Sequence, residues 1–150
     1  MSMYESAEEQ ALAAAELLGA ELEYDADDPT SWSLQLTIEP EGRQHRVFVF
    51  PIEETERSAV HMAEEPGFVC ASAIVGPLNE RVDLNFCLSA ASHMVFARVT
   101  IREIDGQDTV MVEGSLPLME LNPAFLAALI EESALLADSF EERFFGIDED

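Results

Sequence analysis

The sequence has 150 residues and a formal net charge of −24, with 31 Asp and Glu residues against seven basic residues, all of them arginines. This length predicts a single domain over residues 1–150, with an acidic tail at 146–150. A surface this negative repels phosphate backbones and anionic lipids, which argues against nucleic acid and membranes as partners and favours a basic polypeptide. Adaptation to a salty cytoplasm or a GC-rich genome would explain the same acidity, and the composition leaves these explanations open.

The sequence also indicates a cytoplasmic protein. No apolar run approaches the roughly 20 residues that a bilayer-spanning helix needs. The acidic start, MSMYESAEEQ, lacks the cationic and apolar segments of a signal peptide. Cys70 and Cys87 lie in apolar stretches, and two such cysteines in the cytosol are expected to be buried thiols and not a disulfide.

A helix is predicted first, from Tyr4 to about Ala20, because this segment is rich in Ala, Leu and Glu. Ser2 or Ser6 can cap it. Its apolar stripe is shallow, which predicts close packing against a flat surface, and consists of Ala7, Ala11, Ala14, Ala15 and Leu18. The acidic segment 21–30 is expected to be a loop closed by Pro29.

Three strands are predicted next. Residues 31–38 alternate, with one face formed by Trp32, Leu34, Leu36 and Ile38. After a turn at 40–42, residues 43–50 form the second strand of an antiparallel hairpin. For residues 51–66 the sequence leaves three possibilities: a loop, a short helix or a frayed strand extension. Residues 68–76 are apolar on both faces, which is typical of a central strand.

The middle of the chain predicts a second helix and a second hairpin. Residues 78–94 form the helix, with Asn79 as its cap and an apolar face of Leu84, Cys87, Leu88 and Ala91. Residues 95–118 form two strands around Asp105-Gly106, a strong hairpin signal. One strand presents Val95, Ala97, Val99 and Ile101, opposite Val110, Val112 and Leu116 of the other.

A long helix ends the chain. Pro117 lacks a donor for the sheet, so the strand must end near it or run along an edge. Asn122 can cap a helix whose first residue is Pro123 and which ends at Gly146. Its apolar positions are Phe125 or Leu126, Leu129, Ile130, Leu136 or Ala137, Phe140 and Phe144. The order α-β-β-β-α-β-β-α predicts a single α+β domain, an antiparallel sheet with helices packed on it.

Three segments carry a resemblance: DLNFCL at 83–88, the hairpin at 95–118, and LPLMELNPAFLAALIEESALLADSF at 116–140. Together with the element order, they resemble the type III secretion chaperone-like fold, which includes class I (Tir-chaperone-type) secretion chaperones and YbjN-like proteins. The resemblance implies a small acidic protein without a cofactor, frequently a homodimer. Its secretion members bind a non-globular stretch of a client. The YbjN-like branch matches as well, so a secretion and a signalling role both stay open.

No catalytic or metal-binding motif is recognised. His45, His61 and His93 have no metal-ligand spacing, and the acidic clusters lack the pattern of a calcium loop. The chain has neither a phosphate-binding glycine loop nor a Gly-x-Ser-x-Gly motif. A catalytic Cys–His pair would place a thiol in apolar surroundings, where it stays protonated. The sequence therefore predicts no enzyme, no cofactor and no metal.

Five residues are candidate partner or dimer contacts. Arg98 and Arg102 share one strand face and can either pair with Glu103, Glu113 or helix glutamates or form a recessed anion site. Phe144 and Phe145 diverge by about 100° on a helix, so both cannot point into one core. Either one of them contacts a partner or a second copy, together with Phe140, or the helix end folds back. The resulting hypothesis is a non-enzymatic protein-binding module, an escort or adaptor for another polypeptide. The alternative is a small-molecule or anion sensor that uses Arg98 and Arg102.

Overall fold

The computed structural model describes residues 2–52 and 67–146. The helices are α1 (Met3–Leu18), α2 (Leu84–Ala91) and α3 (Pro123–Phe145). The strands are β1 (Glu23–Asp25), β2 (Asp28–Ile38), β3 (Arg43–Ile52), β4 (Phe68–Pro77), β5 (Arg98–Ile104) and β6 (Gln107–Pro117). The predicted α+β class is confirmed. Residues 53–66, for which the sequence left three possibilities, and residues 147–150 of the predicted tail lie outside the described part.

The strands form one antiparallel sheet in the order β1-β2-β3-β4-β6-β5. Both predicted hairpins are present, β2 with β3 and β5 with β6. Asp105 and Gly106 turn the second hairpin with φ angles of 52° and 77°, the left-handed values that a tight two-residue turn requires. The predicted central strand is β4, which lies between β3 and β6.

One face of the sheet forms the core against α3, which packs across β2, β3, β4 and β6. Alternate residues point into this core because successive strand side chains leave opposite faces. Those with no exposed surface include Leu34, Val47, Val49, Val69, Ala71, Ala73, Val110 and Val112. Helix α1 packs on α3 and β3, and its four stripe alanines are at most 3% exposed. Alanine lets the backbones approach closely, so the predicted close packing of α1 is correct, but its main neighbour is helix α3 and not the expected flat surface.

Capping residues define the ends of α1 and α3. Ser2 and Glu5 form a capping box, in which the Ser2 hydroxyl accepts from the Glu5 N–H and the Glu5 carboxylate accepts from the Ser2 N–H. Asn122 Oδ1 accepts from the N–H of Ala124 at 2.9 Å, and Pro123 is the first helical residue. Both predicted starts are confirmed, and Gly146 follows the last residue of α3 as expected.

The prediction for α2 is wrong in its length and partly wrong in its buried face. The helix covers eight residues and is capped by Asp83, whereas Asn79 accepts from the Arg81 N–H in the preceding turn. Leu88 is 60% exposed and Leu84 is 37% exposed. Cys87 is buried, and Phe86, Ala90 and Ala91 pack against the core, so Cys87 and Ala91 of the predicted face do point inward. In a helix of two turns, the apolar stripe does not identify the packed side, because tertiary contacts outweigh so short a periodic signal.

Two smaller predictions are also corrected. The segment 21–30, interpreted as a loop, contains β1 and the first residues of β2. All three β1 residues are exposed, so their sequence carries no alternation that would indicate a strand. Val95, assigned to a strand face, precedes β5 and is 77% exposed.

Candidate functional site

The sheet face opposite α3 carries a mixture of aromatic, aliphatic and charged side chains. This second sheet face alternates with the core positions along β3, β4, β5 and β6, as the strand registers require. Its members are Phe48, Phe50, Ser72, Ile74, Met111, Glu113, Arg98, Arg102 and Ile104. Apolar and charged groups therefore lie side by side on this face.

Two adjoining cavities form a groove across this face. The first has a volume of about 400 Å³ and is lined mainly by the aromatic and aliphatic members of the second sheet face, with Arg102 and Glu113. The second, of about 570 Å³, lies towards β1 and is lined by Tyr24, Trp32 and Arg46 together with three acids. Those acids are Glu23, Asp25 and Asp28. Because Asp28, Ser31 and Phe48 line both cavities, we treat the two as one sheet-face groove.

A buried ion pair lies in the floor of the groove. Glu113 is only 1% exposed and accepts from Arg102 Nε at 2.7 Å and from the Ser72 hydroxyl at 3.0 Å. Burial by itself would raise the pKa of Glu113, but the hydrogen bond and charge of Arg102, aided by Ser72, outweigh it and lower that pKa. The hydrogen bond that Arg102 donates to Glu113 also raises the pKa of Arg102. Both groups are therefore charged at neutral pH.

The two arginines identified from the sequence differ in their surroundings. Both project from the second sheet face, and Arg98 lies directly opposite Glu113 in the strand register. Arg102 pairs with Glu113, one of the acids considered from the sequence. Arg98 is exposed and forms no ion pair with any residue of 2–52 or 67–146. An added anion at Arg102 would have to displace a carboxylate that is already buried against it.

The candidate phenylalanines lie at the C-terminal end of α3. Phe140 has no exposed surface and Phe144 is 8% exposed, and both contact Phe86 edge to face at ring-centroid distances of 6.0 and 6.3 Å. Phe145 diverges from Phe144 and is partly buried over Gly76. The Arg143 guanidinium lies 3.8 Å from the Phe86 ring centroid. Phe140 and Phe144 thus belong to the interior of the single chain, and Phe145 keeps part of its surface exposed.

A second polar cluster lies at the core edge, between β3 and α3. Asp138 is 3% exposed and accepts from Arg43 Nη2 at 2.6 Å, while His45 is 7% exposed and its Nδ1 lies 3.9 Å from Asp138 Oδ1. With Glu141, these residues bring three possible metal-ligating atoms within 4.8 Å of one another. The sequence analysis missed this cluster because Arg43 and Asp138 are 95 positions apart. The sequence offered no signal for it, since Asp138 lies beside the predicted apolar stripe of α3 and not on it.

Exposed apolar side chains gather around β5. No described strand pairs with the outer edge of β5. Val95 immediately precedes the strand region, Ile101 lies within it and is 44% exposed, and Phe125 contacts Phe96 with a ring-centroid distance of 5.8 Å. Helix α2, which carries Leu84 and Leu88, packs against β5. We call this the β5-edge surface: strand β5 with Leu84, Leu88, Val95, Ile101 and Phe125.

Glutamate Glu132 fixes the chain segment that leads into this surface. Its carboxylate accepts from the backbone N–H groups of Val95, Phe96 and Ala97 at 2.8–3.1 Å. Partial burial would raise the pKa of Glu132, but these three donors outweigh it and lower that pKa. The entry to β5 is therefore held to α3 by a charged acceptor.

Comparison with solved structures identifies the fold. The type III secretion chaperone SycH of Yersinia pestis, solved with a stable fragment of YscM2, superposes with a TM-score of 0.52 and 16% identity over 93% of this chain and 99% of that chain. YbjN of E. coli superposes with a TM-score of 0.51 and 14% sequence identity, over 88% of this chain and 86% of that chain. A chain of the HopA1–SchA chaperone–effector complex superposes with a TM-score of 0.52 and 12% sequence identity, over 91% of this chain and 94% of that chain.

The chain therefore has the type III secretion chaperone-like fold, as the sequence resemblance indicated. The identities are too low to show more than the fold. No protein-family model and no curated protein matches the chain. Among the described residues, no helix is both long and apolar enough to cross a membrane.

Proposed function

We propose that the protein is a non-enzymatic module that binds an extended, basic segment of another polypeptide in the sheet-face groove, as a chaperone-like escort or adaptor. The observation that carries this proposal is the groove itself, in which aromatic and aliphatic side chains surround the buried Arg102–Glu113 pair and exposed acids form the rim. The fold supports it, because SycH and the HopA1–SchA complex were each solved with another polypeptide. Membership of a fold is a weak argument for function, so the chemistry of the groove must carry the rest.

That chemistry suits a chain with alternating basic and apolar side chains. An extended peptide presents successive side chains on opposite sides, so apolar residues can enter between Phe48, Phe50 and Ile74 while basic residues remain at the rim. Asp25 and Asp28 at the rim are exposed and supply complementary charge. Apolar burial would supply most of the affinity, whereas the charges would mainly accelerate association and exclude acidic segments.

The absence of an activated group in the groove supports a binding role. The described lining contains neither cysteine nor histidine, and its one buried carboxylate is neutralised by Arg102. Burial raises the pKa of Cys87 to about 11, which keeps that thiol protonated and unreactive. Buried thiols that are not joined in a disulfide suit a reducing compartment, so a cytoplasmic location is part of the proposal.

We also propose that two copies associate through the β5-edge surface. Two β5 strands related by a twofold axis would pair antiparallel and cover the exposed leucines of both copies. Arg98 borders this interface on the second sheet face. Sedimentation velocity should give a dimer for the wild type and a monomer for Leu88→Asp, while Leu12→Asp on the exposed side of α1 should leave the dimer intact. A monomeric wild type at micromolar concentration would refute this part of the proposal.

The groove is tested with two synthetic peptides measured by fluorescence anisotropy. One alternates Lys or Arg with Leu or Val, and the other has the same apolar positions with Glu in place of the basic residues. The basic peptide should bind and the acidic peptide should not. Phe48→Ser should weaken binding of the basic peptide by about tenfold or more, because a truncated central aromatic contact is among the costliest losses at an interface.

Two controls separate groove binding from general attraction to an acidic protein. Leu17→Ser removes an exposed apolar residue on α1 and should leave the affinity unchanged. Asp25→Asn combined with Asp28→Asn should slow association and reduce its salt dependence. If Phe48→Ser and Leu17→Ser bind the basic peptide as tightly as the wild type, the groove is not the binding site and the proposal fails.

A further inference from the structure

The cluster between β3 and α3 has the composition of a divalent-metal site. It supplies one imidazole nitrogen from His45 and two carboxylates from Asp138 and Glu141. Asp138 and Glu141 are three positions apart on α3, which places both on the same side of the helix. His45 comes from the neighbouring strand β3, so the three donors converge from two elements that the core already holds together. Zn²⁺ accepts this combination of nitrogen and oxygen donors.

The orientation of His45 is the observation that points to a ligand. Its Nε2 lies 3.0 Å from the carbonyl oxygen of Ile74. A carbonyl can only accept, so Nε2 carries the hydrogen and, in the neutral ring, Nδ1 presents its lone pair. Nδ1 lies 3.9 Å from Asp138 Oδ1, beyond hydrogen-bond range. The side chain is only 6% exposed, so this arrangement is a buried acceptor facing a carboxylate across a gap.

The same geometry is typical of histidines that bind metals. A metal-ligating histidine usually donates its other ring N–H to a carbonyl or carboxylate, which fixes the ring and its tautomer. Ligand atoms about 2.0–2.2 Å from a zinc ion lie about 3–3.5 Å apart. The separation of 3.9 Å between His45 Nδ1 and Asp138 Oδ1 therefore needs to contract by about half an ångström, and the pairs that include Glu141, within 4.8 Å, by at most about 1.5 Å.

Arg43 positions the cluster and does not block it. Its Nη2 donates to Asp138 Oδ2 at 2.6 Å, whereas the contact of Nε with Oδ1 is longer, at 3.4 Å. Oδ1 is thus the oxygen left facing His45. The positive charge of Arg43 opposes a cation, but its Nη1 also contacts Glu41 at 3.3 Å and Glu142 at 3.2 Å. These two carboxylates compensate the guanidinium, and the surroundings of the cluster remain net negative.

We propose that His45 Nδ1, Asp138 and Glu141 bind one Zn²⁺-type divalent transition ion, with water in the remaining coordination positions. The ion would join α3 to β3 beside the ion pair of Arg43. Because it would bind the folded chain and not the unfolded one, it would stabilise the fold in proportion to its occupancy. This inference is independent of polypeptide binding, since the cluster lies at the core edge and not in the sheet-face groove.

The site is tested by titrating the full-length, untagged protein with Co²⁺ and following its visible d–d absorption, then displacing Co²⁺ with Zn²⁺. Saturation at one equivalent is expected. Glu141→Gln and His45→Gln should each weaken binding by at least about tenfold, because loss of a direct ligand costs no less than loss of its supporting partner. Zn²⁺ should also raise the melting temperature of the wild type and not that of Glu141→Gln.

Matched controls address the many other carboxylates and histidines. His93→Ala removes an exposed histidine, and Glu131→Gln removes an exposed carboxylate from the same helix. Both variants should bind Co²⁺ as the wild type does. If His45→Gln does not fold, the Co²⁺ affinity of Glu141→Gln alone tests the site. Glu141 is half-buried near the end of α3, so its replacement should leave the fold intact. Absence of saturable absorption in the wild type, or equal affinity in Glu141→Gln and Glu131→Gln, overturns the site.

Discussion

Replacing Arg102 with methionine keeps the aliphatic length of the side chain but removes the guanidinium that neutralises Glu113. Breaking a buried ion pair from one side typically costs about 3–5 kcal/mol, because the remaining charge is buried without compensation. The Arg102 side chain is 33% exposed and Ser72 would still donate to Glu113. Water and this hydroxyl would compensate part of the lost charge. We therefore expect a loss of about 3 kcal/mol in the free energy of unfolding at neutral pH, the low end of that range.

The pH dependence of this loss follows from the direction of the Glu113 pKa in each protein. In the wild type the folded-state pKa is lowered, so the contribution of Glu113 to stability is fully present above its unfolded pKa of about 4.3 and declines only below it. Without Arg102, burial is the main remaining influence and raises the folded-state pKa above the unfolded one. The variant then gains stability on acidification, because protonation removes its unpaired charge. The destabilisation should consequently be smaller at about pH 5 than at about pH 7.

Urea unfolding followed by circular dichroism, at fixed ionic strength and at both pH values, measures this difference. Arg98→Met is the matched control, since Arg98 lies on the same strand face but is exposed, and it should change stability by less than about 0.5 kcal/mol. Arg102→Met combined with Glu113→Gln should be more stable than Arg102→Met alone, because no charge remains buried. An equal loss at the two pH values, or a double variant weaker than the single one, would refute the argument.

Three further substitutions test the packing and the capping by thermal and urea unfolding. Phe140→Ala should lower the free energy of unfolding by about 3–5 kcal/mol, because this side chain has no exposed surface. Phe125 is 52% exposed, so Phe125→Ala should lower it far less. Similar losses in the two variants would show that α3 packs on another face. Gly114→Ala should be strongly destabilising, because a Cβ would lie 2.6 Å from the Phe96 carbonyl oxygen. A melting temperature like that of the wild type would mean that β6 lies farther from the backbone of Phe96. Asn122→Ala should cost about 1 kcal/mol through the lost cap, and no loss would mean that water satisfies the Ala124 N–H equally well.

The elements that the sequence predicted well are those with signals at both ends. Helix α3 has a cap, a proline at its first position, a long apolar stripe and a terminal glycine, and each of these corresponds to the structure. The hairpin at Asp105-Gly106 combines a turn that needs left-handed residues with alternation on both sides. By contrast, α2 has two turns and β1 three exposed residues, so neither offers enough periodicity to locate its packed side or its ends.

The candidate sites were less predictable because they depend on the order of strands. Placing Arg98 and Arg102 on one face required only the period of a strand, and Glu113 was among the acids considered. The groove also requires β4 to lie between β3 and β6, which brings Phe50 beside Cys70 and Ser72 beside Glu113. No local pattern specifies that order. The same holds for His45 and Asp138, which meet only because α3 crosses β3.

The distribution of arginines strengthens the argument for a basic partner. Six of the seven arginines fall in the described residues, and four of these are engaged within the chain. Three form ion pairs and one lies over an aromatic ring: Arg43, Arg46, Arg102 and Arg143. These pairs use three of the arginines but neutralise only a few of the 31 carboxylates. Among the charges left unpaired, the excess of negative over positive groups is therefore larger than the ratio in the composition. For the polypeptide partner proposed above, we therefore expect the positive charge to come from the partner and its association to slow steeply as salt is added.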